Sequence, residues 1–400
     1  MDYITQLKIP ATYMRGGTSK GVFFNLQDLP KQAQAPGKAR DDLLLRVIGS
    51  PDPYEKQIDG MGGASSSTSK AVILSKSDKA EHDVNYLFGQ ISIDKPKVDW
   101  SGNCGNLTAA VGSFAVTNQL VDNSRIPQNG IAIIRIWQEN IQKSIVAHVP
   151  IQNGQVVECG HFELDGVTFP SAEIKIEFIQ PVDASDILFP TGNLVDQLDI
   201  PDVGSISATM INAGIPTIFV NAVDIGYLGT ESQENINNDP AALQKFEKIR
   251  AYGALKMGLI ENLDEANNRL HTPKIVYIGP STDYQCTSGK QVSKNQIDLC
   301  VRALSMGKLH HAMMGTAAVS IASASVIQGT IVNQLITGNL AEKARHSYVV
   351  FGHPSGTLKV GAQAAKNLGK WTIEKVTMSR SARVLMEGKV LIPHTWEQKA

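Results

Sequence analysis

The sequence is poor in cysteine. Its 400 residues carry four, Cys104, Cys159, Cys286 and Cys300, spaced far apart. That argues against a disulfide framework and fits a reducing cytoplasm. Charge of one sign is also lacking, since 37 Lys plus Arg face 38 Asp plus Glu. Such a chain has no global field to attract nucleic acid or an anionic membrane, so an anionic ligand must be held by local groups. No apolar run approaches the roughly 20 residues that span a bilayer. The start, "MDYITQLKIPATYM", has neither the basic head nor the apolar stretch of a signal peptide. The nine histidines are scattered. The close pair, His310 and His311, reads as neighbours on a helix or turn whose side chains diverge. Neither C-x-x-C nor H-x-x-x-H spacing occurs, nor the string G-x-x-x-x-G-K-[ST]. No metal and no nucleotide cofactor is expected.

What is present is an ordinary globular balance, 42% hydrophobic and 19% charged, with length enough for two domains. Most of the chain reads as short β segments rich in Val, Ile, Tyr and Phe, punctuated by Gly, Pro, Asn and Asp. Examples are "GVFFN", "AVILS", "VNYLFGQISI", "KIVYIG", "QGTIVNQLI" and "WTIEKVTM". Two Ala-rich stretches, "NLTAAVGSFAV" after Cys104 and "GTAAVSIASASVI" from Gly315, are almost uncharged. Being apolar on every side, each predicts a helix surrounded by protein. Pro240 to Leu259 predicts a surface helix with a charged face. The Pro-containing segment from Phe178 to Gly192 is the candidate linker. Domains are therefore expected over 1–185 and 186–400, with the final strand open to return to the first.

An internal repeat supports that division. "ATYMRGG" at Ala11 answers "ATMINAG" at Ala208. "STSKAVILS", with Lys70, answers "HTPKIVYIG", with Lys274. "CGN" at Cys104 answers "MGT" at Met314. The order is kept. This predicts two β-rich halves, each wrapped round one buried helix, with both helix N-termini facing one cleft. Helix N-termini present unpaired N–H groups and favour anions, and a cysteine there tends toward the thiolate. Two such ends suit a multiply charged small acid, with Cys104 touching it. The run "DGMGGASSSTSK" (Asp59 to Lys70) adds hydroxyls suited to carboxylates and a lysine suited to moving protons. "GHPSGTL" (Gly352 to Leu358) reads as a structural turn.

Taken together, "MRGGTSKG", "DGMGGASSSTSK", "SGNCGN", "LSMGKLHHAMMGT", "GHPSG" and "RSARVLMEGKV" resemble the PrpF family, the methylaconitate isomerases of the 2-methylcitrate route of propionate breakdown. The resemblance covers nearly the whole chain. It implies an α+β, diaminopimelate epimerase-like fold: two pseudo-symmetric β-barrel-like halves, each round a central buried helix. The family's proton-transfer lysine and cysteine fall on Lys70 and Cys104. Diaminopimelate epimerases use two opposed cysteines, but the second position here is Met314, which cannot move a proton. They also carry E-R-G where this chain has Ser305-Met306-Gly307, so the partner of a substrate ammonium is missing and an amino-acid substrate is not expected.

The resemblance thus implies cofactor-free allylic isomerisation of 2-methyl-trans-aconitate to the cis isomer, with Lys70 as principal base and Cys104 as either a second proton carrier or a close contact. Ser19, Ser67, Ser69, Asn103, Gly105, Asn106, Lys274, Ser305, Met314, Gly315 and Thr316 are the implied substrate contacts. Partners are a small tricarboxylate, no nucleic acid and no membrane. A homodimer and a functional link to an aconitase-like methylcitrate dehydratase stay open. So do isomerisation of oxalomesaconate or methylitaconate and a non-catalytic accessory role.

Overall fold

A computed structural model describes residues 6–182, 187–336 and 348–394. The chain forms two compact units. One comprises Met1–Glu163, Phe169–Ile176 and Arg380–Ala400, the other Leu164–Thr168 and Glu177–Ser379. The architecture is α+β, as expected. The anticipated boundary between 185 and 186 and part of the candidate linker fall outside the described residues.

In the N-terminal unit the strands Gln6–Gly16 and Ser19–Asn25 pair antiparallel. Ser19–Asn25 then pairs parallel with Lys70–Lys76, which pairs antiparallel with Val84–Ile91. Val84–Ile91 runs parallel to Asn129–Gln138, itself antiparallel to Lys143–Gln152. The strand Ala382–Pro393 pairs with the free side of Gln6–Gly16. The C-terminal unit repeats the series. Gly204–Ala213 is antiparallel to Ile215–Asn221, which is parallel to Lys274–Pro280, which is antiparallel to Leu299–Ser305. Leu299–Ser305 is parallel to Tyr348–His353, and that strand is antiparallel to Gly356–Asn367. The alternation of pairings is the same in both units, which is the structural counterpart of the sequence repeat.

Each unit has the helix the composition demanded. Thr108–Thr117 buries every residue from Thr108 to Ala115, and Gly315–Ser325 buries all of its residues. Each helix packs on strands from both ends of its series, so each sheet curls round its helix. Ala, Val and Ser keep the helices thin, and buried hydroxyls bond to nearby carbonyls. Ser320 Oγ, for example, donates to Ala213 O at 2.7 Å, which satisfies a group that would otherwise cost free energy inside a core. Close packing also explains the repeated glycines. A Cβ on Gly16 would lie 2.7 Å from Asn106 O, and one on Gly214 (φ +73) 2.7 Å from Val319 Cγ1. The hairpin turn in each unit therefore sits against its helix.

One strand expectation fails. Within "QGTIVNQLI" the chain forms the helix Ile331–Leu335, because Thr330 accepts from Asn333 N as an N-cap. Local capping here outweighs β propensity. The surface helix runs Pro240–Lys256, with Asp239 capping Ala241 N and Ala242 N.

Candidate active site

Lys70 opens the strand Lys70–Lys76 and is 7% exposed. Its register partner across the sheet is Gln90. Lys70 Nζ donates to Gln90 Oε1 at 2.5 Å, and Gln90 Nε2 donates to Ser69 O at 3.0 Å. The Phe88 ring lies 5.0 Å from Nζ. Burial pulls the Lys70 amine below the usual lysine range; its interaction with Cys104, a side-chain hydrogen bond included, opposes that pull.

Cys104 lies one turn ahead of the helix Thr108–Thr117 rather than on its first residue. The turn is helix-like, since Thr108 N donates to Cys104 O at 3.0 Å. Leu107 N points at Cys104 Sγ, 3.5 Å away. The Tyr86 hydroxyl donates to Cys104 O at 3.3 Å, and burial raises that phenol well above its ordinary range, keeping it a donor.

The neighbouring groups suit an anion. Arg380 is 1% exposed and donates from Nε to Asn106 Oδ1 at 3.0 Å. Burial pushes its guanidinium down to about 10, with Cys104 opposing. Lys70 and Arg380 are thus two buried basic groups acting on one thiol, and burial disfavours the charged form of each. Asn103 is buried, and neither Oδ1 nor Nδ2 has a partner. Each such orphan costs about 1–3 kcal/mol, which a ligand group would relieve. Asn106 is held, with Nδ2 donating to Thr18 Oγ1 at 3.0 Å. Gly105 and Ser19 are buried beside these residues in sequence.

The Ser-rich run is an ordered loop. Ser69 Oγ donates to Gln57 Oε1 and Ser65 O, both at 2.8 Å, while Gln57 Oε1 also accepts from Ala64 N at 2.7 Å. Ser67 Oγ lies 3.3 Å from Ser65 Oγ, and Ser67 O accepts from Lys20 N at 3.0 Å. The Ser69 hydroxyl is therefore occupied in shaping the loop.

In the C-terminal unit Lys274 is 2% exposed and opens its strand as Lys70 does. Its Nζ donates to Ser305 Oγ at 2.9 Å and lies 3.4 Å from His271 Nδ1. Met314 is the N-cap residue of the helix Gly315–Ser325, and Gly315 and Thr316 are its buried first turn. His310 and His311 do not diverge. They lie at a bend, and their rings stack with centroids 4.6 Å apart. Burial lowers the His311 imidazole. Among the described residues no group of His, Cys, Asp and Glu could hold a metal ion.

Sequence reasoning missed Gln90, Arg380 and Tyr86. Gln90 carried a signal, as a polar residue inside the apolar run "YLFGQISI". Arg380 opens the motif "RSARVLMEGKV", but nothing in that string points to Asn106, 274 positions away, which it holds.

The PrpF protein family model matches residues 6–393. A 2-methyl-aconitate isomerase of Shewanella oneidensis is 66% identical over 392 residues, covering 97% of this chain and 98% of that protein. One from Cupriavidus necator is 63% identical over 397 residues, covering 98% and 99%. The crystal structure of a methylitaconate-delta-isomerase superposes with a TM-score of 0.78 at 34% identity, covering 99% of this chain and 98% of that one. A probable proline racemase of Agrobacterium radiobacter K84 shares the fold, with a TM-score of 0.55 at 11% identity over 96% and 93% of the two chains.

Proposed function

From the premise that this chain belongs to the PrpF family, we propose that it is an isomerase converting 2-methyl-trans-aconitate to 2-methyl-cis-aconitate. The observation that carries this reading is the buried Lys70 amine hydrogen-bonded to Cys104, with the buried Arg380 guanidinium acting on the same thiol. The choice of substrate rests on the 63–66% identity to two 2-methyl-aconitate isomerases, against 36% to a 3-methylitaconate isomerase and 35% to a 4-oxalomesaconate tautomerase.

In this reading neutral Lys70 takes a proton from the carbon next to both a carboxylate and the C=C bond. The electron pair released spreads over the double bond and the carboxylate as a dienolate. The former double bond then has single-bond character and can rotate. The proton returns from the Lys70 ammonium, or through Cys104, and the C=C bond reforms with the new geometry. Atoms and charge balance without a further reactant. Arg380 favours the developing negative charge, and pre-aimed charge of this kind needs no reorganisation during the reaction. Asn103 supplies a donor and an acceptor to the substrate. Ser19, Ser67, Gly105 and Asn106 line its carboxylates, and Ser69 holds the loop. In the C-terminal unit we assign Lys274, Ser305, Gly315 and Thr316 to carboxylate binding by the internal repeat, with Met314 a contact that cannot carry a proton.

This activity belongs in the 2-methylcitrate route of propionate breakdown, in the cytoplasm, next to an aconitase-like dehydratase. No helix among the described residues is long and apolar enough to cross a membrane. The test is proton NMR of 2-methyl-trans-aconitate with the purified protein alone in deuterated water. Growth of the cis isomer with deuterium uptake supports the reading. No product from it, with turnover of methylitaconate or oxalomesaconate instead, would reassign the substrate; silence with all three would reject isomerase activity.

A further inference from the structure

The fold builds the same pair twice. In each unit a lysine opens the middle strand, and the residue facing it across the antiparallel neighbour is neutral and hydrogen-bonds its amine. Lys70 meets Gln90 on Val84–Ile91 in one unit. Lys274 meets Ser305 at the end of Leu299–Ser305 in the other. A carboxylate would be the ordinary partner for a buried ammonium, yet neither position has one. Gln90 is also fixed from behind, because its Nε2 is committed to Ser69 O at 3.0 Å. That leaves Oε1 as the end facing Lys70. Gln90 is 5% exposed, so its orientation is set by the protein rather than by water.

We propose that Gln90 is a positioning residue, whose neutral carboxamide aims the Lys70 amine without supplying a counter-charge. The proposal rests on the reading of Lys70 as the proton carrier. An amine that must accept a proton has to be available uncharged near neutral pH, and a lysine in water is not. A neutral acceptor holds the amine in place in either protonation state. A carboxylate there would hold it too, but only by trapping it as ammonium. Cys104, in the turn before the central helix, is the titratable group acting on Lys70, and Tyr86 from the Gln90 strand and Arg380 at the end of the strand Lys370–Arg380 face Cys104 in turn. Among the described residues, the groups acting on Lys70 include Cys104 and no Asp or Glu. Its charge state is therefore open to whatever stands at position 90.

The decisive variant is Gln90→Glu, of the same length with one added charge. An opposite charge at this range moves a pKa by about 1–3 units. The rising limb of kcat/KM should move to higher pH by that amount. At neutral pH the rate should fall about 10- to 10³-fold and recover as the pH is raised. A merely structural role would lower the rate at every pH and leave the limb in place. Lys70 itself can be followed without substrate, by NMR titration of protein carrying ¹³C-labelled lysine, its signal assigned by its loss in Lys70→Met. An unchanged Lys70 titration and an unmoved limb in folded Gln90→Glu would overturn the proposal. Gln90→Met covers the case in which the glutamate variant does not fold. It should lower kcat tenfold or more with KM little changed, and full kcat would overturn the proposal. Full activity in Lys70→Met would instead overturn the reading on which the proposal rests.

Discussion

Replacing Lys70 by methionine separates catalysis from stability. Methionine has nearly the same length and no charge, so it fills the space beside Phe88 that the amine stem now fills. Two terms then oppose each other in the folded protein. Gln90 Oε1 loses its donor, at a cost of about 1–3 kcal/mol. Against this, a basic group no longer has to be kept in a site where burial disfavours its ordinary charged form. The net change in melting temperature should be within a few degrees. Turnover has no such offset. Loss of a general acid–base group typically costs about 10²- to 10⁴-fold, or roughly 2.7–5.4 kcal/mol of barrier. Isomer formation followed by NMR measures the rate, and thermal unfolding measures stability.

The pH dependence of stability gives an independent check on the same residue. Unfolded Lys70 binds its proton up to the ordinary lysine range, whereas folded Lys70 releases it at a lower pH. Between the two values the unfolded state binds more protons, so this residue makes the wild type gain stability as pH rises. Lys70→Met should lose that gain. A folded Lys70→Met protein with nearly wild-type turnover would refute Lys70 as the base.

Other variants test the rest of the site. Cys104→Ser keeps a small polar group but a far less acidic one, and should lose about 10²-fold in kcat at similar KM; near-wild-type kcat would reduce Cys104 to a contact. Lys274→Ala should raise KM more than it lowers kcat, because its assigned role is binding, and the opposite split in steady-state kinetics would contradict that assignment. Gly16→Ala brings a Cβ within 2.7 Å of Asn106 O and 2.8 Å of Leu107 Cα, both backbone atoms that cannot swing away. It should lower stability by about 1–3 kcal/mol in chemical denaturation, and unchanged stability would mean the turn does not press on the helix entrance.

The fold class was legible in the sequence, and so were Lys70 and Cys104 as candidates for the chemistry. Uncharged Ala-rich stretches, with no charged face to turn to water, predict helices surrounded by protein, and both are buried in the structure. The ordered repeat of "ATYMRGG", "STSK" and "CGN" marked equivalent places in two equivalent sheets, because each motif answers a local demand: a close turn, a strand entry, a helix entrance. Lys70 and Cys104 were legible for that reason. What only the tertiary structure decided is who stands next to them. Gln90 faces Lys70 through strand register, and register depends on how a whole sheet is assembled. Arg380 reaches Asn106 because Ala382–Pro393 pairs back onto Gln6–Gly16, a long-range contact that no local pattern encodes. The string "SSSTSK" supplies a hydroxyl at Ser69, but its partners Gln57 and Ser65 are set by how the loop folds. A side chain's chemistry is written in the sequence, but its partner, and hence its protonation and its availability to a substrate, is settled only when distant segments close round it.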